Sequence, residues 1–105
     1  MELILSKQAI KFVKKLAPKE QERIREKLAS LLGSVEESGL IPSGELDIKT
    51  LEGEWKGCLR MRIGKARILF TVDLEKDELQ VYGIGFRGDI YKSSKIIYDH
   101  ILRLT

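Results

Sequence analysis

The chain has 105 residues, 43% of them hydrophobic and 33% charged, and a formal net charge of +3. This is the size and composition of one globular domain, residues 1–105, able to bury roughly 65% of its unfolded surface around a single core. One cysteine, Cys58, and one histidine, His100, exclude an internal disulfide and argue against a zinc site or a nucleophilic triad, so both are read as structural.

No apolar run approaches the ~20 residues of a membrane span, and residues 1–6 lack the basic and apolar regions of a secretory signal. The expected location is a reducing cytoplasm, with no membrane, metal or cofactor involved.

Met1 to Leu5 is short and apolar and predicts a first strand packed into a sheet. Ser6 suits an N-cap, because its hydroxyl can accept an otherwise orphan backbone N–H. Ala9, Ile10, Phe12, Val13 and Leu16 follow at helical spacing, a first helix of about ten residues. Pro18 is placed to open a second helix. There Ile24, Leu28, Leu31, Leu32 and Val35 share one face, and Gly39 is the natural stop. The two segments predict an antiparallel helical hairpin. Its charged residues Lys19, Glu20, Arg23, Glu26 and Lys27 read as a solvated face.

From Gly39 to Gly53 the chain is irregular, with a short strand expected at Asp47 to Leu51 and Trp55 as a core anchor or edge cover. The period then switches to two. Leu59, Met61 and Ile63 alternate with Cys58, Arg60 and Arg62. Gly64-Lys65 has the chemistry of a two-residue type II′ turn. The return strand alternates Ile68, Phe70 and Val72 with Arg67, Leu69 and Thr71. A turn at Glu75 to Asp77 leads to a third strand, Leu79 to Phe86, and Asp89 caps a final helix with Ile90, Ile97, Ile101 and Leu104 inward. The fold class is α+β: an N-terminal strand, a helical hairpin, an antiparallel sheet of three to four strands and a C-terminal helix, with one sheet face left partly open.

Charge is unevenly spread. Residues 1–54 hold nine Lys/Arg against ten Asp/Glu, whereas residues 55–105 hold ten against six. Between Trp55 and Val72 there is no acid, but Lys56, Arg60, Arg62, Lys65 and Arg67 all fall there, which points to a polyanionic partner. Arg60 and Arg62 emerge on one sheet face, and Arg67 joins them if it lies on that face of the partner strand. Guanidinium forks match phosphate oxygens bidentately and stay charged at physiological pH. Spacing alone leaves a second reading open, the exposed alternation of a half-buried sheet. Gly83 and Gly85 on the third strand are suited to the close approach of another backbone. Phe86, Arg87 and Tyr91 follow and could stack on a base and hold its phosphate, Phe86 being otherwise a core residue.

The stretch Gly57 to Phe70, with Ile84-Gly85-Phe86-Arg87-Gly88-Asp89-Ile90-Tyr91-Lys92 and the early Phe12-Val13-Lys14-Lys15-Leu16 helix, resembles toxins of the RelE/ParE superfamily over nearly the whole chain. The resemblance implies a toxin of a toxin–antitoxin pair, neutralised by a small antitoxin. For the RelE branch it implies cleavage of mRNA in the ribosomal A site by attack of a ribose 2′-hydroxyl on the adjacent phosphate. Carried over, the site residues are Arg60, Arg62, Arg67, Arg87 and Tyr91. Lys56, Lys65, Phe86 and Lys92 would be RNA contacts. Arg67 and Arg87 would stabilise charge on phosphorus, and Tyr91 would act as base or stacking residue. Arg60 and Arg62 stand where lysines are usual, Phe86 where histidine is common, and Gly88 where a second basic residue is common. Other branches imply a gyrase inhibitor acting by protein contact, or a non-catalytic chain held in an antitoxin complex.

Overall fold

The computed structural model describes residues 1–86, 90–92, 94, 95, 98 and 99. The first strand, β1 (Glu2–Leu5), ends at Ser6, whose hydroxyl accepts from the Ala9 N–H at 3.2 Å and so starts α1 (Lys7–Lys14). Pro18 occupies the first turn of α2 (Pro18–Ser38), a 21-residue helix that runs until Gly39 takes the left-handed conformation, φ +71°. Ile24, Leu28, Leu31 and Val35 are buried along one face of α2, the face expected from their spacing.

After a loop come β2 (Ile48–Thr50), a single 3₁₀ turn at Gly53–Trp55, then β3 (Leu59–Ile63), β4 (Ala66–Asp73) and β5 (Glu78–Gly85). The strands β2 to β5 form consecutive antiparallel pairs. The sheet has five strands in the order β1-β5-β4-β3-β2, because β1 returns to pair in parallel with β5, Leu3 opposite Leu79. Such a pair needs a long crossover, and here the rest of the domain supplies it.

Where β1 stops, side chains continue its work. Ser6 Oγ donates to the Tyr82 carbonyl at 2.8 Å. The Gln8 amide takes both backbone groups of Ile84, donating to its carbonyl at 2.7 Å and accepting from its N–H at 2.8 Å. Two side chains thus tie α1 to the end of β5.

On the helical side, Met61, Ile63, Ile68, Phe70, Leu79, Val81 and Ile84 meet Ile24, Leu28, Leu31 and Val35 in the main core. The opposite face was expected to be partly open. Instead it carries a second apolar cluster of Trp55, Cys58, Leu69, Tyr82, Ile90 and Tyr98. Ile90, Tyr91, Lys92, Ser94, Lys95, Tyr98 and Asp99 are helical. Asp89, Ile97, His100, Ile101 and Leu104 lie outside the described residues, so the expected cap and the rest of the inward stripe are not assigned. Gly83 and Gly85 allow this helical segment to sit close. A Cβ on Gly83 would lie 1.8 Å from Ser94 Oγ, and one on Gly85 would lie 3.0 Å from Ile90 Cβ. The close approach read from these glycines is therefore made by the chain itself.

Candidate functional site

The β3–β4 hairpin turns in two residues. Ile63 pairs with Ala66, and only Gly64 between them has positive φ, +58°, as a type II′ turn requires. This short turn sets the register that puts Arg62 directly opposite Arg67. An open groove of about 640 Å³ lies beside the turn, lined by Arg62, Gly64, Lys65 and Arg67 with Glu20 and Phe86. Phe86 is 41% exposed and meets Phe12 edge-on at 4.9 Å, so it borders the groove from the end of β5 instead of joining the core. Arg67 is held towards that wall, its Nη1 donating to the Phe86 carbonyl at 3.0 Å.

Four residues singled out from sequence thus come together: Arg62, Lys65, Arg67 and Phe86. Arg60 does not line the groove. It lies between Lys49 and Leu69 in the sheet, with its side chain only 14% exposed and its Nε buried without a hydrogen-bond partner among the described residues. Lys56 is exposed before β3, where its carbonyl accepts from Tyr98 Oη at 2.6 Å. Tyr91 packs on the second cluster, its ring 6.0 Å from that of Trp55, and Lys92 is exposed beside it. Arg87 lies outside the described residues.

The apparent absence of acid from the basic segment does not hold in three dimensions. Asp47, immediately before β2, accepts from Arg62 Nε at 2.9 Å and from Arg60 Nη2 at 3.3 Å. Glu20 contributes a second carboxylate to the groove wall. Neither was singled out from sequence. Asp47 becomes visible only once the β2–β3 register is known, since that register sets Lys49 opposite Arg60 and leaves Asp47 beside Arg62.

The remaining reactive groups are quiet. Cys58 is fully buried, its thiol donating to the Phe70 carbonyl at 3.4 Å, and burial pushes its pKa up to about 12. A thiol held protonated is a poor nucleophile. Among the described residues no cluster of His, Cys, Asp or Glu could hold a metal ion. What the groove does offer is two guanidiniums held by hydrogen bonds, with the exposed Lys65 ammonium, next to an exposed aromatic ring. That set can bind a phosphodiester and stabilise charge on it, and guanidinium is ill-suited to moving protons.

By sequence the chain matches no protein-family model and no curated protein. Solved structures are more informative. The isolated E. coli RelE toxin superposes with a TM-score of 0.62 at 22% identity, covering 99% of this chain and 98% of that one. This chain has the RelE-type fold. The RelE–RelB complex of Pyrococcus horikoshii OT3 gives a TM-score of 0.63 at 22% identity, over 83% of this chain and 94% of that one. A YoeB/ParE toxin from Agrobacterium tumefaciens gives 0.61 at 18% identity, over 83% and 99%. The RelE-type fold thus accounts for the whole path from β1 to β5, and the groove sits on its hairpin.

Proposed function

We propose that this protein is the toxin of a toxin–antitoxin pair and a metal-independent endoribonuclease that cleaves mRNA in the ribosomal A site. The observation that carries this reading is the cross-strand pair Arg62 and Arg67 opening onto one groove with Lys65 and Phe86. The RelE-type fold supports it, since neighbours of that fold are toxins solved with RelB antitoxins. A small antitoxin protein is accordingly the expected partner.

The chemistry needs no external nucleophile. The ribose 2′-hydroxyl gives up its proton and its oxygen bonds to the adjacent phosphorus as the P–O5′ bond breaks, the departing O5′ taking a proton from solvent, which leaves a 2′,3′-cyclic phosphate and a 5′-hydroxyl. Negative charge grows on the non-bridging oxygens, and Arg62 and Arg67 supply donors for it. Arg87 joins them in this proposal. Phe86 offers a face on which a base stacks, holding the 2′-oxygen in line. Tyr91 takes the proton of the 2′-hydroxyl or stacks on a neighbouring base. Arg60, outside the groove, adds its charge beside Arg62 through the Asp47 they share, while Lys56 and Lys92 contact the RNA backbone.

The test is induced expression with mRNA integrity and DNA supercoiling followed separately, comparing wild type with Arg67→Ala and Tyr91→Phe. Rapid mRNA loss that disappears with Arg67→Ala supports the reading. Intact mRNA with failing supercoiling would replace it by gyrase inhibition, and mRNA loss surviving both substitutions would remove the catalytic assignment.

A further inference from the structure

Both arginines of β3 converge on one acid. The Asp47 carbonyl accepts from the Arg62 backbone N–H at 2.9 Å, and its carboxylate accepts from Arg62 Nε at 2.9 Å and Arg60 Nη2 at 3.3 Å. The backbone bond fixes the position of the carboxylate relative to Arg62. The carboxylate then fixes the plane of the Arg62 guanidinium, which is rigid and offers donors along two edges. With the Nε edge occupied, its Nη1 and Nη2 groups make no hydrogen bond among the described residues, and Arg62 lines the groove. The same carboxylate pairs with the Arg60 and Arg62 guanidiniums and so partly neutralises the charge that Arg62 presents to the Arg67 opposite it.

We propose that Asp47 is a positioning residue for RNA cleavage, holding Arg62 so that its Nη1/Nη2 end meets the phosphate oxygens in the groove. The inference rests on the cleavage reading above. Two other roles would give different signatures. A mere tie between β2 and β3 would change stability, binding and turnover together. An internal competitor for the phosphate would slow binding alone, and its removal would make the protein faster.

The test uses the full chain in five forms: wild type, Asp47→Asn, Asp47→Glu, Arg62→Ala and the double variant Asp47→Asn/Arg62→Ala. Single-turnover cleavage on ribosomes programmed with mRNA gives the saturating rate and the half-saturating concentration. A fully 2′-O-methylated RNA oligonucleotide, which lacks the attacking hydroxyl, reports binding. For Asp47→Asn, binding is expected to be as tight as wild type or tighter, because one negative charge has gone. The saturating rate is expected to fall on the order of tenfold, since orientation is lost. In the Arg62→Ala background Asp47→Asn should have no further effect, because Asp47 acts through Arg62. Asp47→Glu, which keeps the charge one methylene away, should fall between wild type and Asn. A faster saturating rate in Asp47→Asn, parallel losses of binding, rate and melting temperature, or an undiminished effect without Arg62 would each overturn the proposal. A wild type that cleaves nothing on ribosomes would sink the cleavage reading and this inference together. With an active wild type, those three outcomes sink the inference alone.

Discussion

Arg62 on β3 stands directly opposite Arg67 on β4, two like charges in one cross-strand pair. Like charges directly opposite each other oppose folding, so the presence of this pair at the mouth of a groove favours function over stability. Replacing Arg67 with Thr removes the repulsion and the bond to the Phe86 carbonyl together. Urea unfolding should then show stability within about 1 kcal/mol of wild type. Cleavage of ribosome-bound mRNA should fall by about 10²- to 10³-fold in the same variant. A variant that loses folding and activity in step would contradict this separation.

Gln8 completes the edge of β5 where β1 has run out, taking both backbone groups of Ile84. Gln8→Ala leaves a partly buried N–H and C=O without these partners, which is expected to destabilise the fold by about 1–3 kcal/mol. Because Ile84 is two residues before Phe86, the groove wall should loosen as well. Amide hydrogen exchange at Ile84 is the direct measurement: it should accelerate in Gln8→Ala and hardly change in Lys7→Ala, whose side chain is exposed.

Gly83 is where the helical segment meets the sheet. Gly83→Ala forces Ser94 and Ile90 outwards, and overpacking of this kind typically costs about 1–3 kcal/mol. Since Ser94 Oγ is the nearest atom, Gly83→Ala combined with Ser94→Gly should recover much of the loss. Ser94→Ala alone should be neutral or slightly stabilising, because that hydroxyl is buried with no hydrogen-bond partner among the described residues. Thermal melts of the three variants decide the matter.

Cys58 sets a pH limit. Its thiol is raised from 9.0 to about 12, chiefly by burial. Below pH 9 both folded and unfolded chains keep the proton, so its contribution to stability is fully present. Between pH 9 and 12 the unfolded chain releases a proton that the folded one retains, and stability falls by about 1.4 kcal/mol per pH unit. The Tyr82 and Tyr98 hydroxyls are also raised by burial and should steepen the loss above pH 10. Urea unfolding from pH 8 to 11 checks this, and Cys58→Ala should flatten the slope between pH 9 and 10. A thiol reagent at pH 8 should react only after denaturant is added.

Much of this architecture is written locally. The 3.6-residue stripe from Ile24 to Val35, the Gly39 stop and the Gly64-Lys65 turn each declare themselves within a few residues, and each stands where expected. The hairpin turn even carries the register that pairs Arg62 with Arg67. What local patterns cannot carry is pairing at a distance. The three apolar residues of β1, Leu3, Ile4 and Leu5, give no sign that their partner is β5, or that the pair is parallel. The second cluster joins Trp55, Cys58, Tyr82 and Tyr98, which share no period, so the sheet face they cover looked open. Asp47 escaped for the same reason: counting acids along a segment misses one delivered by the neighbouring strand. The glycines gave a true signal with two possible recipients, and the sequence does not say whether the approaching backbone is another molecule's or the chain's own.

The parallel pairing of β1 with β5 has a consequence for how the molecule is made. Glu2 pairs with Glu78, so β1 has no partner until 76 residues later in synthesis. At about 5–20 residues per second, that wait lasts roughly 4–15 s. During it α2 can coil, but α1 has no β5 to lie on and Phe86 has not been added to the groove. A protein proposed to cut the messages that ribosomes read thus lacks the Phe86 wall of its proposed groove until β5 has been made.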